Sequence, residues 1–318
     1  MSMKPGIEET SFDHSIRVQD DLFRHVNGTW FKNTQIPDDK SMYGSFHMLA
    51  DDAEAAVKEI LLQAAESAGS GKAPAGSPEQ QIGDLYASFM DEARANELGA
   101  APIAAELKLI EHLTTLDEAT KLMGEFSKAG IGGLFGSYVD NDPGNPNRYL
   151  VNLYHGGIGL PDEAYYREEK HQEIRDAYLP YISEMFHHAG FDTASADAAA
   201  RSILEFETAL AATHWNVVDS RDAEKTYNLY SLTALQAMTP GLDWNQWTYG
   251  CEIKQEALNE VVLMMPSFFE ALPKLFNNEN LETVKLWFQW DVINSMAPYL
   301  SAEFVNTRFE FYGRKLTG

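Results

Sequence analysis

The sequence predicts a mainly α fold, a multi-helix body with one small β-hairpin near residues 134–154. Three observations predict it. Apolar residues recur at helical spacing through most of the chain. Helix-capping residues stand ahead of several of those stretches. A single region, 131–160, switches to β-rich runs around a turn.

Residues 1–20 read as an irregular lead-in, and 21–44 as short turns, because aromatics there mix with Asn27-Gly28-Thr29, Pro37 and Asp38-Asp39. A helix follows: Leu49, Ala53, Ala56, Val57, Ile60, Leu61 and Ala64 share one helical face. The small residues of 69–78 form a linker. Ser77-Pro78-Glu79-Gln80 then has a capping residue, proline at the first helical position and glutamine three residues on. It opens a helix faced by Ile82, Leu85, Tyr86, Phe89 and Met90. Another helix covers about 103–113, and Thr115-Leu116-Asp117-Glu118 caps a third that ends near Gly130. Within 131–160, Phe135, Tyr138 and Val139 on one side and Tyr149, Val151 and Leu153 on the other flank Asn141-Asp142-Pro143-Gly144-Asn145, a hairpin pattern. Helices resume at about 168–189, 194–215, 231–238 and 267–276, and one long helix is expected over 281–309.

A chain of 318 residues admits one large domain or two packed units, since a single domain usually takes about 100–200. Its 44% hydrophobic content places it among globular chains rather than disordered ones. The 48 acidic and 24 basic residues leave a net charge of −24, which argues against nucleic acid and anionic membrane surfaces as partners. Cys251 is the only cysteine, so no disulfide can form within the chain. Residues 1–21 lack an apolar signal core, and the longest apolar runs, such as 261–265, are too short to span a bilayer. The expected location is the cytoplasm, although a chain trimmed of a leader would read the same way.

Motifs for chemistry are sparse. His-Glu-x-x-His, which sets two imidazoles one helical turn apart for zinc, is absent. None of the nine histidines has another four residues away, and the adjacent His187 and His188 diverge on a helix, so surface or satisfied histidines are expected. Gly69-Ser70-Gly71-Lys72 is similar to the end of a phosphate loop. Glu66 replaces its first glycine and Ala73 its hydroxyl residue, so a linker is the better reading. Asn27-Gly28-Thr29 is a formal glycosylation sequon that also reads as a turn. Cys251 has no nucleophile signature around it. Carboxylates are too numerous for any pair to stand out.

One family matches across nearly the whole chain. Asp21-Leu22-Phe23-Arg24-His25-Val26-Asn27-Gly28-Thr29-Trp30, then Ile36-Pro37 and Tyr43-Gly44-Ser45-Phe46, resembles the start of the neprilysin-like zinc metallopeptidases, which include endothelin-converting enzyme and bacterial oligopeptidase O. Phe89-Met90-Asp91 and Gly156-Gly157-Ile158-Gly159-Leu160-Pro161-Asp162 with Tyr165-Tyr166 agree in order. So do Tyr227-Asn228, Asp243-Trp244 and the closing Phe311-Tyr312-Gly313-Arg314.

The resemblance implies a two-lobed, largely helical enzyme with an enclosed cavity, of which this chain is the N-terminal, lid-forming part. On that basis residues 1–48 belong partly to the catalytic lobe and 49–318 form the helical lid. The zinc-bearing catalytic domain, with its His-Glu-x-x-His helix, lies outside the chain. The intact enzyme would use zinc to polarise the scissile carbonyl and activate water. This chain would bind no zinc, and alone it would be inactive. Its implied partners are short peptide substrates and the catalytic lobe. Its candidate substrate-facing residues are Tyr43, Phe46 and His47, which equally fit a packed turn ahead of the Leu49 helix.

The sequence departs from neprilysin where Met42 replaces an arginine that grips a substrate's C-terminal carboxylate, and where His47 and Ala50 replace an aspartate and a second arginine. Plain endopeptidase action is therefore expected. The cysteine common in animal members is missing near Val26, as in a bacterial member without disulfides. The alternative function is a non-catalytic peptide-binding or interaction module derived from the same family. In a severed lid, 21–30 and the aromatic end (Phe304, Phe309, Phe311 and Tyr312) are expected to leave apolar surface exposed.

Overall fold

The computed structural model describes residues 7–317. It contains two compact units, one ending at Ser88 and the other beginning at Phe89.

The first unit contains α1 (Leu22–Asn33), α2 (Ser45–Gly69) and most of α3 (Pro78–Phe89). Where turns were expected over 21–44, α1 forms. The Asp21 side chain accepts from the Arg24 amide at 2.9 Å, satisfying a free amide of the first turn. Thr29 donates to the Phe12 carbonyl at 2.6 Å and ties the helix to the lead-in. Tertiary anchoring thus overrides the turn-forming look of Asn27-Gly28-Thr29, and the Asn27 side chain bonds back to the Phe23 carbonyl. The helices α2 and α3 touch at Gly83, where a Cβ would come within 2.4 Å of the Ala64 carbonyl oxygen. Ser77 caps α3 through the Gln80 amide at 3.2 Å.

The second unit holds the core. Its helices are α4 (Glu92–Leu98), α5 (Ala104–Glu111), α6 (Leu116–Ala129), α7 (Ala164–Arg167), α8 (Gln172–His188), α9 (Thr193–Ala211), α10 (Leu232–Met238), α11 (Trp244–Gly250), α12 (Pro266–Ala271), α13 (Leu281–Met296) and α14 (Ala302–Arg308). Thr115 and Glu118 form a reciprocal capping box on α6, and Gly130 closes that helix in the left-handed conformation. The helices α6 and α11 approach backbone to backbone: a Cβ on Gly124 would lie 2.3 Å from the Trp247 carbonyl oxygen, and one on Gly250 would lie 2.1 Å from that of Lys121. Apolar residues surround α13 on every side, and it buries Val284, Trp287, Phe288, Trp290, Val292 and Ile293, as a helix through the middle of a core must.

The expected hairpin is present as β1 (Phe135–Asp142) and β2 (Asn145–His155). It belongs to a four-stranded sheet completed by β3 (Leu229–Ser231) and β4 (Glu260–Leu263), in the order β1-β2-β4-β3. The β2–β4 pair is parallel and the other two pairs are antiparallel.

Two further expectations are corrected. The helix over 281–309 stops at Met296, because Pro298 cannot donate to a helical ladder, and the chain restarts as α14 and a π-helical turn, Phe309–Leu316. The aromatic end is not an apolar overhang either: Phe304 and Phe311 are buried and only Phe309 is exposed. Phe311 stacks on Tyr181 with ring centroids 4.7 Å apart, so α8 supplies the surface that covers it. The exposure expected within 21–30 is seen at Leu22 and Phe23.

Candidate functional site

The sequence-predicted site residues sit where the chain enters α2. Tyr43 precedes Gly44, and Phe46 and His47 fall in the first helical turn. One turn later Asp51 comes round to the face of His47. The Tyr43 hydroxyl donates to Asp51 Oδ2 at 3.0 Å, and the Lys40 ammonium pairs with Asp51 Oδ1 while lying 5.3 Å from the Tyr43 ring centre. The Tyr43 and His47 rings are 6.1 Å apart.

The structure therefore brings Tyr43 and His47 together around Asp51, a residue that sequence reasoning did not single out. The 3-4-4 spacing of Lys40, Tyr43, His47 and Asp51 was the available signal. Phe46 stands apart at 87% exposure, with Met42 and Leu49 also exposed.

The hydrogen bond from Lys40 is the largest influence holding the Asp51 carboxyl below its usual range. Asp51 in turn raises both the Tyr43 hydroxyl and the Lys40 ammonium. Tyr43 therefore stays protonated at neutral pH. The group can position and contact a ligand, and it holds no poised nucleophile.

The glycine and double-tyrosine phrase occupies a different kind of site. Tyr166 is buried and donates to Glu207 Oε2 at 2.6 Å, while its oxygen accepts from the Gly159 and Leu160 amides at 3.1 and 3.0 Å. Tyr178 also donates to Glu207 Oε2, at 3.0 Å, and Tyr312 donates to the Gly159 carbonyl at 3.0 Å. Burial pushes the Glu207 carboxyl up to about 7 against those hydrogen bonds, and burial likewise lifts Asp291 to about 7. Two carboxyls poised near neutrality would suit acid–base work, but the donors around Glu207 come from the fold itself. Its role here is to fasten the 156–166 segment to α8 and α9.

Among the described residues no group of three or more His, Cys, Asp or Glu side chains is arranged to hold a metal ion, so the donor set present does not fit zinc. Burial raises the Cys251 thiol to about 11, which keeps it out of the thiolate form at neutral pH. No helix among the described residues is long and apolar enough to cross a membrane.

The profile of Peptidase family M13 matches residues 18–318. The chain belongs to that family. It represents the N-terminal portion, as the aromatic opening and the glycine–tyrosine phrase imply. Endothelin-converting enzyme 1 of Homo sapiens is 24% identical over 331 residues, covering 97% of this chain and 41% of the human protein. The same enzyme from Cavia porcellus is 25% identical over 93% of this chain and 40% of its own length.

Among solved structures, the Mycobacterium tuberculosis zinc metalloprotease Zmp1 in complex with inhibitor is 39% identical and superposes with a TM-score of 0.87, over 98% of this chain and 47% of that one. PepO from Lactobacillus rhamnosis HN001, 24% identical with a TM-score of 0.73, shares the fold over 95% of this chain and 47% of its own. The chain thus spans less than half the length of these M13 relatives.

Proposed function

We propose that this chain is the lid portion of an M13 zinc metalloendopeptidase that hydrolyses short peptides inside an enclosed cavity. The observation that carries the reading is the 39% identity and TM-score of 0.87 to Zmp1 over nearly the whole chain but only 47% of that zinc metalloprotease. Residues that hold zinc and activate water would then come from sequence beyond these 318. In the same reading residues 1–48 contribute to the catalytic lobe, 49–318 wall the chamber, and the enzyme works in the cytoplasm.

This chain's own part in the reaction is exclusion and positioning. Tyr43, steadied by Asp51 and Lys40, would offer a hydroxyl to the peptide, the neighbouring His47 an imidazole, and the exposed Phe46 ring an apolar contact. Met42 has no charge with which to hold a C-terminal carboxylate, which favours internal cleavage over removal of terminal dipeptides.

The reading frame downstream of Gly318 tests the proposal. It should continue into a His-Glu-x-x-His helix, and a stop codon directly after Gly318 would overturn it in favour of a non-catalytic peptide-binding module. In the full-length product, Phe46→Ala should raise KM for a fluorogenic peptide several-fold with kcat little changed. An unchanged KM would remove Phe46 from the substrate wall.

A further inference from the structure

Two histidines in the second unit each bury one ring nitrogen without a hydrogen-bond partner, contrary to the sequence expectation. His155 closes β2, and His214 follows the end of α9. Their rings meet edge to face with centroids 4.6 Å apart, and both lie against Phe268 of α12. His155 Nδ1 and His214 Nε2 are sealed from solvent and have no hydrogen-bond partner.

The pair borders a cavity of about 300 Å³, whose wall also includes Asp162, Glu163, Trp215 and Arg221. Asp162, Glu163 and Arg221 are the charged groups that face it. Glu163 is engaged by Arg167 through two hydrogen bonds, at 2.5 and 2.9 Å, and Asp162 caps the Ala164 amide at 2.8 Å. Arg221 adds a positive charge. From α12 the pair meets the uncharged Phe268.

A neutral imidazole tolerates this setting, whereas an imidazolium does not. Its extra N–H would be sealed without an acceptor, and a second protonation would place two cations in contact. We propose that the His155–His214 contact is an acid-released latch, fastening the end of β2 and the start of the 156–163 segment to the 213–221 segment at neutral pH and letting them part when either ring takes up a proton.

Burial holds both imidazoles below their ordinary range, and His214, with His155 as a lesser influence, is lowered to about 3. The parted state titrates near the ordinary value of about 6.5. Between about 3 and 6.5 the parted state therefore binds more protons than the closed one. The latch is at full strength above 6.5 and weakens as pH falls, by about tenfold per pH unit for each imidazole that titrates. Glu207, which accepts from the Gly159 amide, is more comfortable buried when protonated. Acid thus loosens the Gly156 end of the segment and leaves its Gly159 end held.

Hydrogen–deuterium exchange on the 318-residue chain, corrected for the intrinsic pH dependence of amide exchange, tests this. Between pH 7 and pH 5, opening of 155–157 and 213–221 should rise about 20-fold, the linkage expected for one imidazole. The double variant His155→Phe/His214→Phe keeps rings against Phe268, removes both imidazoles and should abolish the rise. Equal protection at both pH values, or the same rise in the double variant, would overturn the proposal. Should the double variant fail to fold, NMR titration of the imidazole C2 protons in the unmodified chain decides. A midpoint at least one unit below about 6.5 for either ring upholds the latch, and ordinary midpoints for both overturn it.

Discussion

Tyr166 and Glu207 lie 41 residues apart in the chain and share a 2.6 Å hydrogen bond inside the second unit. The same hydroxyl takes the amides of Gly159 and Leu160, so one oxygen joins the family's glycine phrase, its double tyrosine and α9. Tyr166→Phe should lower the unfolding free energy by about 1–3 kcal/mol, because it strands the Leu160 amide and removes a donor from a buried carboxyl. Tyr165→Phe leaves the ring stacked on His171, with centroids 3.8 Å apart, and should cost less than about 0.5 kcal/mol. Urea midpoints of the two variants measure the contrast.

Glu207 and Asp291 also fix a direction of pH dependence. Both are raised to about 7 in the folded chain, against ordinary values of 4.5 and 3.8. The folded state holds more protons than the unfolded state between those limits, so these groups stabilise it fully in acid and lose that contribution as pH rises through about 7. Glu207→Gln should flatten the fall in stability between pH 4.5 and 7 by roughly half, the remainder belonging to Asp291. Denaturation midpoints across that range check it, and an unchanged slope would mean that Glu207 is not buried as described.

The meeting of α6 and α11 leaves no space at Gly124. Gly124→Ala would drive a methyl group into the Trp247 carbonyl and should destabilise the second unit by about 1–3 kcal/mol. Gly69→Ala, where nothing lies within 4 Å of the added carbon, should be close to neutral or slightly stabilising. Thermal unfolding of the two variants gives the comparison.

How much of this could be read from the sequence depended on where the information lay. The helix α2 from its periodicity, α6 from its cap and the hairpin from its turn were legible, because such signals are local. The helix α1 was misread: its stability comes from Phe12, seventeen residues before Thr29. The strands β3 and β4 are three and four residues long and pair only through the fold, so no local pattern marks them. Tyr43 and Phe46 became candidates through the family phrase and His47 through its place beside it, whereas Asp51 became visible only as the carboxylate on which Tyr43 and Lys40 converge. Glu207 was hidden among 48 acidic residues, since burial is what distinguishes it.

Met42 makes a prediction for the proposed full-length peptidase. It is exposed beside Tyr43 and carries no charge, so amidated and free-acid peptides should be cleaved at similar rates. Met42→Arg should favour the free acid by about 1–3 kcal/mol, the range for a hydrogen bond to a charged group. Paired kcat/KM values for one peptide in both forms measure this, and a strong free-acid preference in the unmodified enzyme would show that another cation serves.

These residues are proposed to form a lid whose chemistry is completed by sequence outside them. Zinc content and hydrolysis of a fluorogenic peptide, measured on the same purified preparation of residues 1–318, test it most directly. The account predicts no stoichiometric zinc and no chelator-sensitive cleavage, because no three suitable ligands converge among the described residues. One tightly held zinc per chain, accompanied by cleavage that a chelator abolishes, would contradict it.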